Sequence, residues 1–202
     1  MSHCTKFDFQ YTNRKIICRT FETLGLDWQD SSLCEALKIG FIGIPLKTVA
    51  PMICAKKNGF QYFMVDKGAY YELLIEKHNM TPQEESISES MANEFKLSYI
   101  KEVAKEVVKQ MNGKGENALL EETKNGYEIK FGQIYDKSIL IKFNNGRVIE
   151  EVQGVKGKSC VSLTEALENM LSSPDVELQS EWTEEYYDEP DNGLTIYNME
   201  EI

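Results

Sequence analysis

Histidine and metal-ligand motifs are scarce in this sequence of 202 residues, which holds two histidines, His3 and His78, and five cysteines. No two cysteines have the C-x-x-C spacing that zinc sites and dithiol redox centres use. A structural zinc site would have to gather ligands from distant positions, starting from His3-Cys4, so we predict no metal site. The odd number of cysteines, and a polar start with no recognisable signal peptide, favour reduced thiols in a cytoplasmic protein.

A hydrophobic run long enough to span a membrane is also missing. The most apolar stretch, residues 39–54, is interrupted by two glycines, two prolines and a lysine. A spanning helix needs about 20 apolar residues, so we expect no membrane insertion. Two interpretations of the stretch remain: a segment that crosses the edge of the core, or an exposed apolar docking surface.

Basic residues are absent from the end of the chain. Residues 175–202 contain ten acidic residues and no lysine or arginine, so the other 174 residues hold 23 acidic against 22 basic residues. Nearly all of the net charge of -11 therefore belongs to this C-terminal segment. A near-neutral body argues against nucleic-acid binding, which needs a basic face. The acidic end favours a partner with a basic groove, or a solvated tail.

The spacing of turn residues predicts an α+β fold made of two small modules, in which helices cover antiparallel hairpins. Residues 1–136 are assigned to an N-terminal α+β domain. In this domain, residues 60–65 and 70–75 are predicted to pair as one hairpin. A polar loop is expected at residues 78–90, followed by a helix at 95–111, where apolar residues recur at four-residue spacing.

Residues 137–175 are predicted to form a second module of two strands and a helix, a ββα unit. Strands at 138–143 and 147–152 flank Asn144-Asn-Gly146, in which glycine supplies the positive φ that a tight turn requires. Ser162-Leu-Thr-Glu165 has the pattern of a capping box and predicts the start of the helix.

The third part of the chain is an acidic aromatic tail, residues 176–202. Residues 176–182 alternate in polarity and could add a strand to the hairpin, whereas disorder is expected beyond residue 188. We predict that Trp182, Tyr186 and Tyr187 dock the tail onto a partner, as in peptides that bind in a groove.

The connector Gly154-Val-Lys-Gly-Lys-Ser-Cys160 joins the second strand of the ββα unit to its helix. A P-loop needs four residues between its first glycine and Gly-Lys, and this chain has two, so nucleotide hydrolysis is not predicted. The candidate residues for a looser ligand or anion site are Lys156, Gly157, Lys158, Ser159 and Cys160. Cys160 could also be a nucleophile if the lysines and the helix N-terminus lowered its pKa. The simpler alternative is a turn with solvated lysines and with Cys160 packed beneath the helix.

Several short motifs in the first 130 residues occur in the same order in a known family. They are Met1-Ser2-His3, Gly25-Leu-Asp-Trp28, Asn58-Gly59-Phe60 and Tyr71-Glu72-Leu73, followed by a helix and a hairpin. This part of the chain resembles the uncharacterised plastid and cyanobacterial open-reading-frame family whose members begin Met-Ser-His. It departs from that family in the proline-containing run at residues 39–54 and in the long loop at residues 78–93, and the family supplies no catalytic residues.

A second resemblance covers about 50 residues around the connector. The motifs are Gly-x-Lys-Gly-x-x-Cys at 154–160, Leu163-Thr-Glu-Ala-Leu167 and Thr183-Glu-Glu-Tyr-Tyr187. They are similar to a short bacterial family of domains of unknown function. Members of both families occur near genes for AAA+ ATPases, so the two resemblances imply an accessory role and supply no chemistry.

No combination of residues in the chain has the pattern of a catalytic site, so we predict no catalytic residue and no cofactor. The leading hypothesis is a non-enzymatic adaptor or regulatory subunit that binds another protein, with an AAA+ ATPase as the candidate partner. The alternative is a small-molecule or phosphate-ligand binding protein, with or without enzymatic activity, that uses the 154–160 connector.

Overall fold

The computed structural model describes residues 3–32, 51–57, 60–75, 81–144, 146–157 and 159–187. The chain divides into two compact units, one made of residues 1–9 and 103–202 and the other of residues 10–102. This division differs from the boundary predicted near residue 137. That position lies inside one sheet, because the strands before and after it pair with each other.

Ten strands, three α-helices and a 3-10 helix are described. The strands are β1 (His3–Asp8), β2 (Asp27–Ser32), β3 (Pro51–Lys57), β4 (Phe60–Asp66), β5 (Tyr71–Ile75), β6 (Ala118–Thr123), β7 (Gly126–Phe131), β8 (Lys137–Asn144), β9 (Arg147–Gln153) and β10 (Gln179–Trp182). The helices are α1 (Arg14–Thr23), α2 (Pro82–Gly113), α3 (Ser159–Leu171) and the 3-10 helix Glu184–Tyr187. This mixture of helices and antiparallel sheets confirms the predicted α+β class.

The unit made of both chain ends is built on a six-stranded antiparallel sheet in the order β10-β1-β9-β8-β7-β6. The predicted hairpin of the second module is present as β8 and β9. The tail strand predicted at residues 176–182 is present as β10, but it does not pair with that hairpin. It pairs with β1, because β1 occupies the edge of β9 that β10 would otherwise have taken.

Helix α3 lies against β9 of this sheet. Its buried face is the predicted one and includes Leu163, Ala166, Leu167, Met170 and Leu171. The predicted capping box at Ser162 is wrong, since the helix already begins at Ser159 and Ser162 lies inside it. Gly157, with φ +69, turns the chain into the helix earlier than the sequence pattern suggested.

The unit of residues 10–102 contains a four-stranded antiparallel sheet in the order β2-β3-β4-β5. Asn13 caps α1, since its side chain accepts a hydrogen bond from the Ile16 amide. An aromatic core joins the start of this unit to α2: the Tyr11 ring lies 5.6 Å from that of Phe95 and 5.1 Å from that of Tyr99. The Tyr99 hydroxyl in turn accepts a hydrogen bond from the Asn13 amide at 3.0 Å.

The loop predicted at residues 78–90 is wrong from Pro82 onward, where α2 begins. Thr81 and Glu84 form a capping box, in which the Thr81 amide donates to Glu84 at 2.7 Å and the Glu84 amide donates to Thr81 Oγ1 at 3.3 Å. Pro82 stands at the first helical position, where its fixed φ suits the helix and its missing N–H costs nothing. The predicted helix at 95–111 is the later part of α2.

The structure leaves two predictions about particular segments untested. Most of the apolar run at 39–54 lies outside the described residues, and its last four residues belong to β3. The residues beyond 188, where disorder was predicted, also lie outside them. None of the helices in the described ranges is long and apolar enough to cross a membrane.

Candidate functional site

A row of polar side chains crosses three neighbouring strands of the six-stranded sheet. Thr5 on β1 pairs with Glu150 on β9 at one side and with Ser180 on β10 at the other. Directly paired residues point to the same face of a sheet, so the three side chains lie in line. Thr5 Oγ1 and Ser180 Oγ are 3.2 Å apart and share a hydrogen bond. The row therefore leads from the interior of the sheet to its exposed edge.

Glu150, at the inner end of this row, is completely buried. Neither of its carboxyl oxygens has a hydrogen-bond partner among the described residues. Burial in an apolar environment penalises a charged carboxylate, and it raises the pKa of Glu150 well above its usual range, with a further upward contribution from Glu168. The Glu150 carboxyl is therefore held in its neutral form.

His3 lies in the adjacent row, where it pairs with Val152 on β9 and Trp182 on β10. Its ring is 1% exposed, and burial lowers its pKa to about 4 because the charged imidazolium would lose its hydration. Nε2 lies 3.4 Å from the hydroxyl of Thr164, while Nδ1 has no partner among the described residues. The imidazole is therefore neutral at physiological pH and has one unused nitrogen.

Helix α3 completes the cluster from above the sheet. Cys160, Thr164 and Glu168 follow one another at four-residue spacing, so they lie on one face of the helix. Burial raises the pKa of Glu168, an effect that its hydrogen bond from Thr164 opposes. We define the buried polar cluster as His3, Thr5, Glu150, Thr164 and Glu168.

A chain of aromatic rings covers the outer end of the cluster. The His3 ring lies 5.2 Å from that of Trp182, which lies 4.2 Å from that of Tyr186, which in turn lies 5.2 Å from that of Tyr187. Trp182 is 39% exposed and Tyr187 is 76% exposed. We call Trp182, Tyr186 and Tyr187 the aromatic ladder. It connects a buried imidazole to solvent along the edge of the sheet.

The first part of the connector, residues 154–157, turns at Gly154 and Gly157, which both have positive φ. Gly154 has φ +72, and a Cβ at this position would lie 2.4 Å from the carbonyl oxygen of Asp136. Cys160 is fully buried and donates a hydrogen bond to the Gly157 carbonyl at 3.2 Å. Burial raises the pKa of Cys160 to about 11, which is opposite to the shift that a nucleophilic thiol requires.

The predicted ligand residues of the connector are only partly described. The Lys156 side chain is exposed. Lys158 and the side chain of Ser159 lie outside the described residues. The phosphate-binding alternative therefore stays a prediction.

Sequence reasoning identified the aromatic ladder but missed the cluster beneath it. Trp182, Tyr186 and Tyr187 were predicted, whereas His3 was considered as the start of a metal site and as part of the Met1-Ser2-His3 motif. The sequence pattern around Glu150 could have revealed its position. Glu150 lies two residues from Val148 and two from Val152, and both valines are buried. Such alternation places all three residues on the core side of a strand.

The chemistry of this cluster differs from that of a metal centre. Within the described part of the chain, no group of three or more His, Cys, Asp and Glu side chains could hold a metal ion. The buried groups are instead an imidazole, hydroxyls and two carboxyls, and one of these carboxyls, that of Glu150, has no partner among the described residues.

One family model matches the chain. Residues 140–187 match the family described as a protein of unknown function (DUF2997). The match contains β9, the connector, α3 and the aromatic ladder, and it confirms that the C-terminal part resembles a domain of unknown function. The comparisons with curated proteins and with solved structures give no match. The resemblance of the first 130 residues to the plastid and cyanobacterial family stays a prediction.

Proposed function

We propose that the protein is a non-enzymatic adaptor or regulatory subunit that binds another protein through β10 and the aromatic ladder. The observation that carries the proposal is a row of contacting aromatic rings, which begins at Trp182 on the edge strand β10 and ends at the exposed Tyr187 on the 3-10 helix that follows it. Aromatic side chains are enriched in the centres of protein interfaces because they bury a large area with few rotatable bonds. An exposed aromatic row beside backbone groups at a sheet edge suits a protein partner.

Strand β10 supports this proposal through its position. It is the last strand of its sheet, it pairs with β1, and all four of its residues are exposed. A short edge strand leaves backbone N–H and C=O groups available to an added strand, which is a common mode of peptide recognition. The partner would gain main-chain hydrogen bonds from β10 and apolar contacts from the ladder.

The charge near the ladder indicates the kind of partner. Glu177, Glu181 and Glu184 are exposed and lie close to the aromatic rings in sequence. Acidic groups of one sign attract a surface of the opposite sign and raise the rate of encounter. We therefore propose a partner with a basic groove. The two family resemblances favour an AAA+ ATPase as its class.

The state of Cys160 supports a non-enzymatic role. This thiol was the one nucleophile that the sequence suggested, and it is buried with a raised pKa. A thiol in that state is a packing residue of low reactivity. The alternative function at the connector therefore gains no support from this residue.

The test is capture of partners by the tagged full-length protein from its native host, with and without ATP, followed by reconstitution with the purified candidate. Substituting both Trp182→Ala and Tyr187→Ala should reduce the affinity at least ~10-fold, as for central aromatic residues of an interface. Ile134→Ala is the matched control, because Ile134 is 80% exposed and lies away from the ladder in sequence. Equal loss in both variants, or no partner that survives reconstitution, would overturn the proposal.

A further inference from the structure

Three buried atoms of the cluster have no partner among the described residues: Nδ1 of His3 and both carboxyl oxygens of Glu150. Buried polar atoms are nearly always hydrogen-bonded, because leaving them unpaired destabilises the folded protein. Three such atoms within one small cluster are therefore a local exception. An exception of this kind indicates a ligand that completes the hydrogen bonds.

The hydrogen bonds of the Thr164 hydroxyl indicate which nitrogen of His3 donates and which accepts. Thr164 Oγ1 has one hydrogen, which it donates to the Val161 carbonyl at 3.2 Å or to Glu168. When the hydrogen is given to either of these groups, the Thr164 oxygen accepts from His3, and Nε2, 3.4 Å from that oxygen, is then the protonated nitrogen. Nδ1 is then a lone-pair acceptor.

All three unpaired atoms become acceptors once Glu150 is ionised. A second carboxyl, Glu168, lies close enough to interact electrostatically with Glu150. The ligand that satisfies two carboxylates and an imidazole lone pair carries several N–H donors and a positive charge, as an ammonium or a guanidinium does. An anion or a neutral acceptor would be repelled.

We propose that the cluster receives the cationic side chain of a lysine or arginine from the protein partner, an inference that rests on the adaptor function proposed above. The positive group would sit between Glu150 and Glu168 and donate a hydrogen bond to Nδ1 of His3.

The aromatic ladder provides the entrance to this site. Trp182 stacks on His3 and is partly exposed, so a rotation of its indole ring opens the edge of the sheet beside Ser180. An indole face is also the strongest aromatic partner of a cation. The hydroxyls of Thr5 and Ser180 line the path toward Glu150, which spans two strand spacings, about 10 Å.

Binding is coupled to the release of a proton. The titratable group that acts on Glu150 is Glu168 from α3, while the neighbouring strands place Thr5 of β1 and the apolar Ile141 of β8 beside it. A cation stabilises the ionised carboxylate, so the proton of the Glu150 carboxyl passes to the buffer when the cation binds. Affinity should therefore rise as the pH is raised from 6 to 8.

The experiment is calorimetry of the full chain with three short acetylated peptides that differ at one central position: lysine, arginine or norleucine. Free spermidine is a fourth probe, which separates a free amine from a side chain. Titrations in two buffers of different ionisation enthalpy measure the protons released. We expect the lysine and arginine peptides to bind with release of about one proton, and the norleucine peptide to bind at least ~10-fold more weakly.

Three variants define the site. Glu150→Gln keeps the shape of the neutral carboxyl, so it should fold, bind the cationic peptides at least ~10-fold more weakly and release no proton. Glu168→Gln should weaken binding to a smaller extent. Glu165→Gln is the control, because Glu165 lies on the exposed side of the same helix, and it should change the affinity less than ~2-fold.

Three outcomes would overturn the inference: unchanged binding by Glu150→Gln, equal binding of the norleucine peptide, or binding of spermidine alone. Its failure is separable from failure of the adaptor function. One pair of results separates the two: Glu150→Gln captures the protein partner as well as the wild type does, and the variant with both Trp182→Ala and Tyr187→Ala does not. Such results would support the proposed docking surface and rule out the proposed cation site.

Discussion

The rings of His3 and Trp182 lie 5.2 Å apart at paired positions of β1 and β10. A tryptophan in contact with an imidazole reports its protonation, because a charged imidazolium quenches indole fluorescence. The chain has two tryptophans, so Trp28→Phe leaves Trp182 as the single reporter. We expect its fluorescence to fall with a midpoint near pH 4, in line with the lowered pKa of His3. A midpoint near the ordinary value of about 6.5 would contradict the buried position of His3.

The same histidine makes stability depend on pH. Between about pH 4 and 6.5 the unfolded chain binds the His3 proton and the folded chain does not, so the free energy of unfolding falls as the pH decreases through this window. The stability that depends on the neutral His3 is fully present above about pH 6.5, and at most roughly 3 kcal/mol of it is lost as the pH falls to about 4 and below. Glu150, with its raised pKa, acts in the opposite direction, since it favours the folded state at lower pH.

Comparison of the wild type with His3→Phe separates these two effects, because Glu150 is present in both proteins. Urea unfolding at pH 4.5, 5.5 and 7 should show the wild type losing stability relative to His3→Phe as the pH is lowered. A difference between the two proteins that is independent of pH would show that His3 is not buried in its neutral form.

Cys160 is expected to be unreactive in the folded protein. With a pKa of about 11, roughly one thiol in ten thousand is ionised at pH 7, compared with a few per cent for a free cysteine. Alkylation of Cys160 by iodoacetamide, followed by peptide mass spectrometry, should be at least ~100-fold slower than in the same chain unfolded in urea. A rate equal to that of the unfolded chain, or above it, would restore the nucleophile hypothesis.

Gly154 in the connector and Gly146 in the β8–β9 turn allow a prediction about stability with a matched control. Gly154 and Gly146 both have positive φ, +72 and +82, so alanine at either position carries the strain of the left-handed region, about 1 kcal/mol. Only Gly154→Ala also places its Cβ 2.4 Å from Asp136 O, whereas no described atom lies within 4 Å of a Cβ at Gly146. Chemical denaturation should therefore show Gly154→Ala to be less stable than Gly146→Ala, by roughly 2 kcal/mol or more. Equal losses of stability in the two variants would mean that the backbone at Asp136 moves away from the added Cβ at no cost in free energy.

The hairpins were predictable from the sequence because their signals are local. Lys124-Asn-Gly126 and Asn144-Asn-Gly146 supply the turns, and the alternating strands on either side set the register. The buried polar cluster was not predictable in this way. The cluster forms because β1, from the other end of the chain, pairs with β9. No local sequence pattern predicts which distant strand pairs with the free edge of β9.

The aromatic ladder was identified as a set of residues but not as a structure. Its composition marked Trp182, Tyr186 and Tyr187 as candidates, while their stacking on His3 depends on the pairing of β10 with β1. The buried thiol of Cys160 shows the converse case. Its sequence neighbours, two lysines and a helix start, left open either an activated thiol or one packed beneath the helix, and the buried position raises its pKa.

The start of α2 was missed because Pro82 and the charges that follow it were interpreted as a loop. Thr81→Ala removes the hydroxyl that accepts from the Glu84 amide, and loss of a threonine cap costs about 1 kcal/mol. Ser86→Ala is the control, because Ser86 is exposed one turn further along α2 and alanine is the better helix former there. Amide hydrogen exchange over residues 84–90 should become faster in Thr81→Ala and slower or unchanged in Ser86→Ala. If the segment were a loop, as its composition suggested, these amides would exchange rapidly in the wild type and neither substitution would change their rate.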